Sequence, residues 1–383
     1  MTPRTLVVLA GLAVGAAGAA AYLALQRPPP ATAPLAAGQL MFPGVVQRLQ
    51  NAAKVEVTGK DGTLTLVREG DVWGDAGRAG YPVQQQRVRE MFSALTELRL
   101  TEPRTADAQQ LKALNLDDPG PGSSALKLVV RDAQGNVIAD AIVGRRRVRM
   151  AGNLPEAIYV RRPAETQAWL AEGNLRLDAD WNLWIDRDLL DIKRARVASA
   201  TLRQGETLTE LARATPTAER MDVQNPPEGW RGDESKIDDI GRALEWLTLE
   251  DVRRRAELDG ASELGTATWT LFDGTRVVAR VVEKDSARWA SFDVSWEAPA
   301  SAPPEGPDQR TPEAARAEAE AAARRLSGWA YRLPDWKLAV LLSSAEAMRA
   351  AEPPPAAAPA QSQPAQSQPA QSQPAQSQPG TTN

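Results

Sequence analysis

The sequence predicts an α+β fold: a tandem duplicated domain of antiparallel hairpins with packed helices, placed after one N-terminal transmembrane helix. Three observations predict it. An uncharged apolar run, Leu6 to Leu25, precedes everything polar. Short alternating stretches joined by Asp/Gly turns read as hairpins, and the order hairpin, helix, hairpin recurs in the second half.

As a helix, the run from Leu6 to Leu25 is about 30 Å long, the thickness of a bilayer's hydrocarbon core. Arg4 stands before it, and Arg27 with Pro28, Pro29 and Pro30 after it. The positive-inside bias then keeps the N-terminus in the cytoplasm and delivers the body to the far side. Ala19-Ala20-Ala21 also resembles a signal-peptidase site, so residues 1–27 read as a membrane anchor or signal segment. The apolar length beyond that site favours the uncleaved anchor. Gly11 and Gly15 form a small-xxx-small pair, the spacing that lets membrane helices approach closely. Residues 28–44 form a Pro/Ala spacer.

Composition narrows the function. The 383 residues have room for about two domains beyond the anchor. A net charge of −4 argues against broad nucleic-acid binding, which uses a basic face. Cysteine is absent, which removes disulfides, thiol chemistry and a lipoprotein anchor. Histidine is absent too, and with it go the usual general base near neutral pH, the commonest metal ligand and every Ser-His or Cys-His pair. Paired carboxylates are the enzymatic route left open.

The first α+β repeat spans residues 45–177. Val55 to Thr58, the turn residues Gly59 to Gly62, and Leu64 to Val67 read as a hairpin. Val72-Trp73 is a short strand, and Val88, Met91, Phe92, Leu95 and Leu98 give one amphipathic helix. After the break at Asp117-Asp118-Pro119-Gly120, Leu126 to Val130 and Val137 to Val143 form a second hairpin. Tyr159-Val160 is a strand, and Pro163 to Leu170 a short helix. A connector, 178–191, leads to the second repeat, 192–349, where the order returns. Ala198 to Leu202 and Thr207 to Leu211 match the first hairpin, and Trp230 stands for Trp73. Ile237, Ile240, Leu244 and Leu247 match the helix. Trp269 to Phe272 and Val277 to Val282 match the second hairpin, and Trp329 to Pro334 matches Ile158 to Pro163. Within this repeat an inserted loop, 298–325, ends in a segment capped by Thr311 and Pro312, with Glu320 and Arg324 four apart. Its polarity predicts a solvated helix packing little against the core. Residues 350–383, with four consecutive Ala-Gln-Ser-Gln-Pro units from Ala360, cannot build a core and read as a disordered tail.

Several motifs resemble sites. Asp178, Asp180 and Asn182 fall at the first ligand positions of a calcium loop, but Leu183 and Leu189 replace its glycine and bidentate glutamate. Ser124 and Lys127 spell S-x-x-K, yet Lys127 opens a strand and the acylase chemistry needs one helical turn. Gly59 to Gly62 lacks the ending of a phosphate loop. Accordingly no catalytic, cofactor-binding or metal residue is assigned. Two arginine clusters, Arg145, Arg146, Arg147 with Arg149, and Arg253, Arg254, Arg255, form the candidate surface for an anionic ligand or partner. The bland reading of both is a solvated strand end and a solvated helix end. Trp73, Trp230, Trp246 and Trp269 fall in the repeated apolar pattern and read as core.

Trp73 before Tyr81-Pro82-Val83, Leu114-Asn115-Leu116-Asp117-Asp118-Pro119, the Gly144 that ends the hairpin, Tyr159-Val160, and Trp184-Ile185-Asp186-Arg187-Asp188-Leu189-Leu190 carry a resemblance. The chain from Val45 to Met348 resembles a bacterial envelope family of unknown function, whose pattern usually has Gly where Asn115 stands. Members have an N-terminal membrane segment before a repeated α+β domain. They are typically encoded beside the permease and auxiliary subunits of gliding-motility-type ABC transporters. The resemblance implies a non-catalytic accessory or scaffold at the inner membrane with its body in the periplasm, without cofactor or nucleic acid. ABC transporter permease or auxiliary subunits are its implied partners. The alternative is a binding module for an anionic envelope glycan or lipid.

Overall fold

A computed structural model describes residues 36–147, 156–300, 302 and 304–351. The apolar run Leu6–Leu25, Arg149 and the tail expected from 350, beyond Ala351, lie outside the described residues.

The first half is laid down around a long antiparallel sheet. A short helix α1 (Val45–Leu49) leads into strands β1 (Ala52–Gly59) and β2 (Gly62–Glu69), which pair Gly59 with Gly62 across Lys60 and Asp61. Alternation does what it should: Val55 and Val57 of β1 and Leu64 and Leu66 of β2 all point into the core. Strands β3 (Val72–Asp75) and β4 (Tyr81–Pro82) extend one edge. Helix α2 (Gln85–Glu97) buries Val88, Met91, Ala94 and Leu95, while Phe92 meets Trp73 edge to face at 5.6 Å. The chain then crosses to the far edge as β5 (Arg99–Pro103) and forms the one-turn helix α3 (Ala108–Leu111). It returns through β6 (Leu126–Asp132), β7 (Val137–Arg147), β8 (Ala157–Arg161) and β9 (Trp169–Glu172). The order across the sheet is β4-β3-β2-β1-β6-β7-β8-β9-β5.

Strand β10 (Asp188–Leu190) belongs to the connector. The second half runs through β11 (Val197–Gln204), β12 (Thr207–Ala212), β13 (Asp222–Val223), helix α4 (Glu234–Gly241) and β14 (Leu247–Thr248), which pairs with β10. Strands β15 (Asp251–Arg254), β16 (Ser262–Leu271), β17 (Thr275–Lys284) and β18 (Ala287–Trp296) follow. Helix α5 (Pro312–Leu326), β19 (Trp329–Arg332) and helix α6 (Asp335–Leu341) complete it. Its sheet is ordered β13-β12-β11-β16-β17-β18-β19-β15. Both sheets follow one path: a hairpin, an outer strand, a helix, a jump to the opposite edge, a second hairpin, and a last strand that pairs with the jumper.

The α+β architecture with a transmembrane helix is corrected by these findings. The described residues build three antiparallel sheets against which a few helices, mostly short, are set. Among the described residues no helix is long and apolar enough to cross a membrane. Most of the apolar spacing is of period two, and that period decides the class.

Four smaller expectations also change. Residues 163–170 form no helix. The Arg161 guanidinium donates to the carbonyls of Arg162, Pro163 and Glu165, so the acceptors of a first helical turn are already engaged. By position in the sheet, Trp329–Arg332 matches β9 rather than Ile158–Pro163, because β19 pairs β15 as β9 pairs β5. Strand β7 continues past Gly144 to Arg147, with a register shift between Val143 and Arg146. The inserted helix α5, capped by the Thr311 hydroxyl, is not solvated all round. It buries Ala315, Ala319, Ala322 and Leu326, mainly against β18, a stripe of small residues that lets helix and sheet approach closely.

One half-buried carboxylate opposes the fold. Asp140 on β7 has an oxygen without a hydrogen-bond partner, and burial pushes its pKa up. A raised folded value means that the charged form at neutral pH costs stability, which returns as pH falls through that value. Asp140→Asn should therefore unfold at a higher temperature than wild type at pH 7. The gap should close as the buffer is taken to acid, read by thermal melts across a pH series.

Candidate functional site

The residues with the most specific geometry lie where the two sheets meet. From the first sheet, the turn after β3 brings Arg78 forward. Its Nη1 lies 2.9 Å from Asp75, its Nε 2.9 Å from Asp251 of β15, and its guanidinium carbon 3.4 Å from the centroid of the Trp181 ring. Asp75 also receives the Gly77 N–H, so one buried carboxylate shapes the turn and orients the arginine. The turn leaves no room for a side chain at Gly74, where a Cβ would stand 2.3 Å from the Gly80 carbonyl oxygen. Tyr81, just beyond, packs edge to face on Trp329 at 4.9 Å and near Tyr331 at 6.3 Å, both of β19. Burial pushes the hydroxyls of Tyr81 and Tyr331 well above their usual range, so both stay neutral.

The connector threads this junction. Gln84 donates its N–H to the Trp184 carbonyl at 2.6 Å and its side-chain amide to the Ile185 carbonyl at 2.8 Å. Arg325, at the end of α5, donates to the carbonyls of Asp188 and Leu189 at 2.5 Å each. Trp184 is fully buried, with Arg87 5.0 Å over its ring.

The cluster Arg253, Arg254, Arg255 sits on the second sheet's side of the junction, and each member is engaged. Arg254 donates to the Ala79 carbonyl at 2.9 and 3.2 Å and lies 3.8 Å over Trp329. Arg253 lies 3.9 Å over Trp289, and Arg255 holds Asp293 through two bonds of 2.8 and 3.2 Å. A cleft of about 210 Å³ remains between Arg78, Ala79, Asp251, Arg253, Glu257 and Trp289. In the other cluster, Arg146 pairs with Glu156 at 2.5 Å, while Arg145 and Arg147 are exposed at the end of β7. The two clusters are therefore different surfaces.

Three further motifs come together. The Gly59–Gly62 turn, Ser123 to Leu126, and Asp178 to Trp181 line one open hollow of about 660 Å³. Each has a local task there. Ser123 accepts the Ala125 N–H, Asp178 the Asp180 N–H, and Asp180 the Asn182 N–H, all near 3 Å. Ser124 and Lys127 are not on a helix, since β6 begins at Leu126. Among the described residues no group of three or more acidic side chains is arranged to hold a metal ion.

Sequence reading missed Arg78, Asp251 and Arg325, whose partners are far away in the chain. The only local signal was a surplus of arginine beside tryptophan. It placed Trp246 wrongly as well: the side chain is 68 % exposed.

Fold and junction define a protein of two like-ordered antiparallel sheets clamped by ion pairs, stacked rings and backbone bonds. A family model, the domain of unknown function DUF4340, matches residues 73–267, just over half of the chain. The chain belongs to that family. The matched stretch begins at Trp73 and contains the turn, the connector and β15, which form most of the junction. No curated protein and no solved structure matches it.

Proposed function

We propose that the protein is a non-catalytic accessory or scaffold of the bacterial cell envelope. The apolar run Leu6–Leu25 delivers it across the cytoplasmic membrane, its two sheets arise by duplication, and it serves an ABC-type export complex of the gliding-motility kind. One observation carries the reading. The residues that mark the family resemblance, Trp73, Tyr81, Trp184, Ile185 and Leu189, are buried in one core shared by both sheets. Tyr81 stacks on Trp329 across the junction, and the carbonyls of Trp184, Ile185 and Leu189 hold Gln84 on one side and Arg325 on the other. What such residues preserve is the angle of a bracket, as a part that positions other subunits requires. The exposed Arg145 and Arg147 favour a second reading, a site for an anionic envelope glycan or lipid headgroup.

Purification of the full-length chain from detergent-solubilised membranes tests the first reading. Permease subunits of an ABC transporter should co-purify, and recovery of nothing above a mock purification overturns it. Salt-sensitive retention on anionic liposomes, lost in an Arg145→Ala/Arg146→Ala/Arg147→Ala variant, supports the second; equal retention of both chains overturns that one.

A further inference from the structure

Two tryptophans stand out on the second sheet's helical side. Trp246 is 68 % and Trp336 64 % exposed. Trp246 has φ of +48°, a left-handed conformation that a bulky side chain adopts only when its surroundings impose it. Asp191 imposes it here, accepting the Trp246 N–H at 3.2 Å while both its oxygens hold Lys193 at 2.9 Å. Lys193 Nζ in turn lies 4.1 Å over the indole and covers one face. Lys337 links the second ring to the first: its Nζ is 2.7 Å from the Glu245 carbonyl and 4.8 Å from the Trp336 ring centroid. The two short legs set Trp336 beside the peptide that precedes Trp246. Strained backbone is thus spent on displaying an indole next to another indole, a pattern that core packing does not explain.

We propose that this pair is a docking site for the chain's own proline-rich segment, residues 353–383. Three observations favour that occupant. The described chain approaches its end beside the start of α4, where the Ala350 N–H binds the Arg231 carbonyl at 2.8 Å. Helix α4 has eight residues and so runs about 12 Å, and Trp246 follows five residues after its end; at about 3.1 Å per proline-rich residue, the segment has length to spare for that reach. The segment carries no charge, and the patch asks for none, since Lys193 is paired with Asp191 and Lys337 is buried against carbonyls. Proline rings stack on exposed aromatic side chains at low entropic cost, and Pro353 to Pro355 followed by four repeated units offers many registers. Tethering raises the local concentration to about millimolar, enough for a contact that would be weak between separate molecules.

The absence of cysteine makes the test direct. A Ser362→Cys full-length chain labelled with bimane, a fluorophore quenched by tryptophan on contact, reports whether the segment touches the pair. The emission should be quenched, and should rise several-fold when Trp246→Gly and Trp336→Ser are added. Trp246→Gly relieves the left-handed strain, so an unchanged or higher melting temperature shows that the gain does not come from unfolding. Unquenched emission in the parent, or quenching that survives in the double variant, overturns the proposal. Quenching lost on dilution overturns it too, because the occupant is then the segment of a second copy.

Discussion

Replacing Asp273 by Asn should lower the stability of the second half by about 3–5 kcal/mol, the cost of removing one partner from a buried ion pair. Asp273 is wholly buried at the turn between β16 and β17, and Arg196 beside it is 1 % exposed. Arg196 donates through Nε and Nη2 to one Asp273 oxygen at 3.1 and 2.8 Å, and the other oxygen takes the Thr275 N–H. Nη1 reaches Glu318 of α5 at 2.9 Å. Burial works against the Arg196 charge, but its hydrogen bonds to Glu318 and Asp273 outweigh it and raise its pKa. A guanidinium is basic enough to keep its proton in a folded protein, so Arg196 stays charged when Asp273 is replaced. Asparagine keeps the shape and the Thr275 bond, and leaves the guanidinium with only the half-exposed Glu318. In a protein of this size the loss should appear as a fall in melting temperature on the order of 10 °C. Glu318→Gln should cost much less, since that carboxylate is partly screened by water. An Arg196→Met/Asp273→Leu chain should recover most of the loss, because removing both charges also removes the desolvation penalty. Equal melting of the Asp273→Asn chain and wild type would show that the buried pair does not stabilise the second half.

Much of the sheet was legible because its signals are local. Hairpins at Lys60-Asp61, at Asp132 to Asn136 and at Asp273-Gly274 announce themselves by alternation on both sides and turn residues between. The stripe Val88, Met91, Leu95 likewise marks α2. The buried face of α5 was not legible, because alanine counts little on a hydropathy scale yet fills a narrow gap completely. The strand Trp169–Glu172 was hidden behind helix-like spacing that Arg161 disrupts from a distance. The junction was the least legible part: Arg78 meets Asp251 across 173 residues, and no window of local sequence contains both. Trp246 was misplaced for the opposite reason. Its neighbours carry a core pattern, and only the backbone angle sets it outside.

Gly144→Ala should destabilise the first sheet by about 3 kcal/mol, at the upper end of what overpacking costs. A Cβ on Gly144 would stand 2.3 Å from the Leu114 carbonyl oxygen, 2.8 Å from that of Asn115 and 2.9 Å from a Leu116 methyl. Two of these are backbone atoms, so no rotamer change relieves the contact and the segment itself must lift. That segment is anchored by Arg161, which donates to the Leu116 carbonyl and to Asp118 at 2.5 Å each. Lifting it by a few tenths of an ångström lengthens both bonds and exposes Leu116, which is wholly buried. The resemblance noted in the sequence thereby acquires a cause, since Leu114 to Pro119 and Gly144 are two sides of one close contact. Asn115 has φ of +56°, a left-handed angle that asparagine tolerates and glycine adopts freely. Asn115→Gly should accordingly leave the melting temperature near that of wild type, as should Gly120→Ala, whose Cβ would meet nothing within 4 Å. Thermal melts of the three variants separate the explanations. If Gly144→Ala melts with the other two, the strand and the loop are not held in contact, and the cause assigned to the motif is wrong.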